Sequence, residues 1–272
     1  MRYAICNELY GDLPFEDAFS HARDLGYTGL EIAPFTLGPD ARSISKEERA
    51  RVRAIAEGLG MEIIGLHWLL AKTEGYHLTS PDPQVRTRTI SYFNELARLC
   101  RDLGGGLMVL GSPQQRSLAA GMTHEEGHTN AVSLLRECLP VFEECNVVMA
   151  LEPLGPAETD FMCTAQSGID IAAELDSPFV KLHLDVKAMS SEEKSIPQII
   201  RDSKEWTFHF HANDPNLRGP GMGEVDFRPI FDALKETGYD GWISIEVFDY
   251  EPGIDALAGD SIRYMQEIEG MV

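Results

Sequence analysis

Three carboxylates and one imidazole recur in the same local setting along the chain. Glu152 closes VVMALE, Asp185 closes VKLHLD, His211 closes TFHFH, and Glu246 sits near the end of WISIEVF. Each occupies the point where a short apolar, β-prone run ends. Successive side chains of a strand point to opposite faces, so each run can be phased. Met149 and Leu151 take one face, Ala150 and Glu152 the other. Leu182, Leu184 and Val186 oppose His183, Asp185 and Lys187. Phe208 and Phe210 oppose His209 and His211, and Ile243, Ile245 and Val247 oppose Ser244 and Glu246. The four metal-capable residues share the polar face. Several carboxylates aimed at one buried axis repel one another and lose hydration; a divalent cation removes both penalties. Three oxygen donors and one imidazole suit a fairly hard ion, Mn²⁺ first, with Mg²⁺, Co²⁺ or Zn²⁺ as alternatives. The competing reading is four unrelated ion-pair or packing residues, and their common phase on consecutive runs weighs against it.

These residues are carried by strands that alternate with helices. Eight runs read as strands: Tyr3–Glu8, Gly29–Pro34, Glu62–Trp68, Leu107–Gly111, Val147–Glu152, Val180–Asp185, Thr207–His211 and Trp242–Val247. Helical patterns cover Pro14–Leu25, Lys46–Leu59, Asp82–Leu103, Thr123–Cys145, Phe227–Thr237 and Glu251–Ile268. Thr123 and Glu126 form a capping-box signature, and Asp226 reads as an N-cap. Alternation of this kind implies parallel βαβ units. Eight of them in 272 residues predict one (β/α)8 TIM barrel spanning 1–272 as a single domain, a fold of about 250 residues. An open doubly wound sheet is the alternative. The glycine-rich stretch Gly221–Phe227 follows the seventh run, not the first, and lacks dinucleotide-loop spacing. In a barrel, the ends of runs five to eight converge on the C-terminal mouth, where active sites lie.

Acidic residues outnumber basic ones 44 to 23, and a net charge of −21 repels nucleic acid and anionic membranes. No apolar run approaches the roughly 18 residues that span a bilayer, and the N-terminus lacks a signal-peptide pattern. A cytoplasmic protein is expected. The five cysteines form no CxxC pair and read as buried hydrophobes.

With these motifs in place, the chain resembles the xylose isomerase-like barrels, the sugar phosphate isomerase/epimerase group, along essentially its whole length. The resemblance rests on LEP at 151–153, HLDVKAM at 183–189, HFHANDPN at 209–216, GPGMGEVDF at 219–227 and WISIEVF at 242–248. Within that group it is similar to the D-tagatose and D-allulose 3-epimerases. That likeness implies a metal held by Glu152, Asp185, His211 and Glu246. It also implies Glu152 and Glu246 as the proton-transferring pair and Glu158 as a substrate contact. The activity it implies is epimerisation or isomerisation of a keto sugar through an enediolate. A dehydratase acting on a keto-inositol or 3-keto sugar is the alternative outcome of the same intermediate. An endonuclease IV-like phosphodiesterase and a non-catalytic sugar-binding barrel are further rivals, opposed by the charge and by the full ligand set. Two departures mark the substrate side. Ala188 replaces the group's His three residues after the Asp ligand. Leu217 replaces its Arg, with Arg218 one position on. His67, Trp68, Lys187 and Arg218 are the remaining candidate substrate contacts, with a satisfied core histidine the equal alternative for His67 and a lysine paired with a nearby acid the equal alternative for Lys187; Leu69 and Leu70 extend an apolar wall. Glu31 is an inward supporting residue, and His183 and His209, one step deeper, either support the ligands from behind or pack in the core. Asn213 and Asp214 fit a ligand-contact or a turn role, and Gly219–Gly223 forms a loop able to approach an anion. The expected partner is a small carbohydrate, with a homo-oligomer implied by likeness alone.

Overall fold

The computed structural model describes residues 1–272. Eight parallel strands close into a barrel in sequence order: β1 Arg2–Cys6, β2 Gly29–Ile32, β3 Glu62–Leu66, β4 Leu107–Leu110, β5 Val148–Leu151, β6 Val180–Asp185, β7 Thr207–Ala212 and β8 Trp242–Ile245. Closure runs through β1 and β8, with Ala4 opposite Ser244. The longer helices between strands are Phe15–Leu25, Lys46–Gly58, Pro83–Leu103, His124–Cys145, Ala165–Leu175, Ile196–Asp202, Arg228–Glu236 and Ile254–Met271. The capping box at Thr123 is formed, and Asp82 caps its helix by accepting from Gln84 N. None of the helices is long and apolar enough to cross a membrane.

Two apolar layers follow from strand alternation. Residues such as Met108, Leu110, Met149, Leu151, Phe210 and Ile243 face the helices and join the large core. Ala4, Ile64, Leu107, Val109 and Ala150 fill the lower barrel interior as a separate cluster against Trp242. Above that plug the interior is polar: Glu31, His67, His183, His209, His211 and Ser244 are all buried there.

Several boundaries differ from the sequence reading. Six of the eight strands stop one or two residues early, because the backbone bends into loops at the mouth. Asp226 does not sit at the N-cap: Phe227 does, while the Asp226 carboxylate accepts the Arg228 N–H at 3.0 Å and so still tethers the helix start. The helices Ala165–Leu175 and Ile196–Asp202 were not anticipated, nor were the single turns Pro34–Leu37 and Val186–Met189.

Candidate metal centre and active-site mouth

The mouth is assembled from strand ends. Glu152 follows β5 and remains in ladder phase, its N–H bonding to Leu110 O at 3.2 Å. Asp185 is the last residue of β6 and also caps the turn Val186–Met189. Its Oδ1 accepts the Ala188 N–H at 2.7 Å, and its Oδ2 accepts from Asn213 Nδ2 at 2.5 Å. His211 lies on β7. Glu246 follows β8, its N–H bonding to Ala212 O at 3.4 Å. All four are buried.

Donor atoms of Glu152, Asp185, His211 and His183 lie within 4.8 Å of one another. Glu246 meets them through His211, whose Nδ1 is 3.1 Å from Glu246 Oε2. The predicted quartet therefore converges, and His183, expected one step deeper, stands among its donors. Both ring nitrogens of His183 are buried without a hydrogen-bond partner, with Nε2 3.7 Å from Glu152 Oε1. Orphaned imidazole nitrogens beside crowded carboxylates are what a resident cation would satisfy, so the residues fit a divalent metal.

The electrostatics divide the carboxylates. Burial, then the charges of Glu246 and Asp185, push Glu152 well above the ordinary carboxylate range. Burial and Glu246 push Asp185 up to about 6. Burial works the same way on Glu246, but His211 outweighs it and holds that carboxyl low. Glu31 behaves likewise: burial opposes its ionisation, and His211 and His209 overcome it. Glu31 accepts from His209 Nε2 at 2.7 Å, from His211 Nε2 at 3.1 Å and from Ser244 Oγ at 2.6 Å. Its place on the inner face is as phased. Its hold on two imidazoles at once was not anticipated.

A cavity of about 460 Å³ opens above the quartet, with Glu152, Glu246, Trp68, Glu158, Lys187 and Phe248 in its wall. Gly111 lines it too. A Cβ there would stand 1.9 Å from Glu152 Oε2, so the carboxylate occupies space that only glycine leaves. A cavity of equal volume at the N-terminal face, around Arg2 and Trp242, lies at the opposite end from the carboxylates.

The candidate substrate contacts divide. Trp68 is in the cavity wall as expected, stacked on Phe248 at 6.1 Å, and it also donates Nε1–H to Glu246 Oε1 at 2.7 Å. It does so from a left-handed backbone, φ 53°, a conformation costly for a bulky residue. Leu69 and Leu70 do not extend that wall; both turn into the core. Lys187 reaches the cavity, but through the turn that follows Asp185 and not by strand phase. Its Nζ is 2.8 Å from Glu158 Oε1 and 4.7 Å from the Phe248 ring centre. His67 lies below the cavity, fully buried, with Nε2 2.6 Å from Glu8 Oε2. Arg218 is outside the cavity. Leu217 O accepts from both Phe248 N and Asp249 N, and this pins Arg218 beside Asp249 and Glu251, at 2.9 and 3.0 Å. Asn213 braces Asp185 and also accepts from Lys187 N at 2.8 Å. The Gly219–Gly223 loop is packed, with no room for an anion: a Cβ on Gly223 would lie 2.0 Å from Asp214 Oδ1.

Two buried groups escaped the sequence reading. Arg116, in the loop after β4, donates to the backbone carbonyl of Glu152 at 2.5 Å, and burial lowers its guanidinium to about 10. Nothing in its irregular surroundings signalled this. Glu8, just past β1, shares strand parity with Cys6 and Ala4, so its inward direction was available from phase.

Comparison with known proteins extends these observations. The profile described as "Xylose isomerase-like TIM barrel" matches residues 19–268. The chain is 30% identical over 246 residues to the D-psicose 3-epimerase of Ruminiclostridium cellulolyticum, covering 90% of this chain and 80% of that one. It is 23% identical over 250 residues to the fructoselysine 3-epimerase of Escherichia coli, covering 86% of each. Among solved structures, D-psicose 3-epimerase with D-tagatose from Clostridium cellulolyticum superposes with a TM-score of 0.82 at 26% identity, over 99% of this chain and 92% of that one. The 3-keto-D-glucoside 4-epimerase of Escherichia coli superposes with a TM-score of 0.85 over 98% of this chain and 99% of that one; at 18% identity this speaks for the fold alone. On this footing the chain belongs to the xylose isomerase-like TIM barrel family and, within it, to the ketose 3-epimerase group of isomerases.

Proposed function

We propose that the chain is a divalent-metal-dependent 3-epimerase of a keto sugar, moving a proton beside the carbonyl through an enediolate. The observation that carries this is the placing of Glu152 and Glu246. They stand three strands apart around an eight-stranded ring, in the wall of one cavity, with His211 and Asp185 between them. A carboxylate on each side of a bound sugar lets one remove the C3 proton and the other return one to the opposite face, which inverts that carbon. Glu246 is oriented for this by Trp68 Nε1–H and His211. Glu152 is oriented by its packing on Gly111 and by Arg116, which holds its backbone carbonyl. Glu152, Asp185, His211 and Glu246 would hold the ion, Mn²⁺ by preference, which when bound supplies Lewis-acid stabilisation of the developing oxyanion. The Lys187–Glu158 pair offers a donor and an acceptor to sugar hydroxyls where Ala188 leaves no imidazole. Relatives named as 3-epimerases favour epimerisation over the dehydratase outcome.

The test is chromatographic. After exhaustive chelation the protein should leave D-fructose unchanged, and added Mn²⁺ should restore its conversion to the C3 epimer. Full turnover in the chelated protein, or an aldose as the sole product, would contradict the proposal.

A further inference from the structure

A smaller cavity, of about 390 Å³, opens beside the one at the mouth, with Glu8, Tyr10, Asp12, Phe35, Thr36 and Lys72 in its wall. Two features tie it to the reaction centre. Lys72 lines both cavities. A carboxylate oxygen of Glu8 lies within 4.8 Å of one of Glu246. Glu8 is itself a fixed feature: its side chain is 4% exposed, Oε2 takes the His67 N–H, and Oε1 is buried with no partner. A buried carboxylate oxygen without a donor is costly, so the charge of Glu8 is held beside this cavity by its pairing with His67. Nothing in the proton-transfer scheme uses Glu8, His67 or this cavity.

The wall chemistry selects a class of occupant. Glu8 and Asp12 accept hydrogen bonds and repel a phosphate or carboxylate. Lys72, with Nζ 3.8 Å from the Phe35 ring centre, sits at the junction and disfavours an ammonium. Phe35 and Tyr10 supply apolar surface between the polar groups, the mixture that suits a sugar ring. Resting on the epimerase reading, we propose that the substrate is a keto sugar bearing a second, neutral polyhydroxylated unit. Its reacting carbons lie between Glu152 and Glu246, and the second unit extends past Lys72, which lines both cavities, into the one walled by Phe35 and Asp12.

The experiment compares D-fructose with fructose carrying a glucosyl group on its 4-, 5- or 6-hydroxyl, using the Mn²⁺-loaded full chain. Fructose 6-phosphate and an amine-substituted fructose serve as charged controls. At least one glucosyl-fructose should exceed fructose in kcat/KM by about tenfold or more, which is the scale of pocket discrimination. Asp12→Trp, at the exposed rim, should abolish that advantage through KM and leave fructose turnover unchanged. Glu8→Gln, which keeps an acceptor for His67, should weaken calorimetric binding of the same disaccharide. Fructose turned over as well as every glucosyl-fructose, a charged control preferred, or an Asp12→Trp variant with full disaccharide activity would each overturn the subsite and leave the epimerase reading standing. Failure of every ketose to turn over would overturn both.

Discussion

A histidine can offer either ring nitrogen to a metal, and what the other nitrogen holds decides which. In His211, Nε2 is committed to Glu31 and Nδ1 faces Glu246. The carboxylate thus fixes both tautomer and ring plane. Glu31→Gln should weaken Mn²⁺ binding by about 10- to 100-fold, measured as free Mn²⁺ by electron paramagnetic resonance. An unchanged affinity would remove this role from Glu31. Glu246→Gln should lower kcat by roughly 10²- to 10⁴-fold, measured under conditions where bound metal is confirmed; near-native kcat would exclude it as a proton-transferring group. Asp185 gives a pH signature in the metal-free protein. Its folded pKa of about 6 lies above the ordinary 3.8, so between those values the folded state binds more protons than the unfolded one. Its contribution to stability therefore falls as pH rises through that window. Asp185→Asn lacks that loss, so its melting temperature relative to the native chain should climb from pH 4 to 6. A gap that stays flat would contradict the assignment.

At the scale of elements, the site is a product of where strands stop. Period-two alternation sorted Glu152, Asp185, His211 and Glu246 onto one face from the sequence alone, because each still follows or nearly follows the ladder of its strand. Phase cannot see what happens once the ladder ends. Lys187 was assigned inward on β6, yet it enters the cavity from a helical turn that Asp185 caps. Arg218 was assigned to the substrate, yet loop hydrogen bonds to Leu217 O carry it to Asp249 and Glu251. Arg116 reaches Glu152 from a loop with no periodic signal, and Ala165–Leu175 follows a long irregular stretch that hid its cap at Thr164. The same logic makes β4 testable. Gly111 is the residue after β4, and its missing side chain is what lets Glu152 approach. Gly111→Ala should displace the Glu152 carboxylate and lower kcat by at least about tenfold while melting cooperatively, because the clash is with a side-chain terminus and not with backbone. Native kcat in this variant would show that the Glu152 position is not critical.

Across the whole molecule, the barrel interior is divided into an apolar plug at the N-terminal end and a polar layer of histidines and carboxylates at the C-terminal end. The plug and the outer core are ordinary burial and secure the fold. The polar layer is a net cost unless charges, hydrogen bonds and a cation balance within it. That division was legible as a fold, since eight alternating runs admit few closures. The substrate was not, because the residues that would grip it sit on loops. As proposed, this polar layer moves a proton on the carbon beside a keto group. This step is tested most directly by incubating the Mn²⁺-loaded protein with D-fructose and with the glucosyl-fructoses in D₂O and reading carbon-bound deuterium by NMR. Deuterium is expected at C3, in both the recovered substrate and its epimer, and none after chelation. A fully metal-loaded protein that leaves C3 unlabelled in every keto sugar would contradict it.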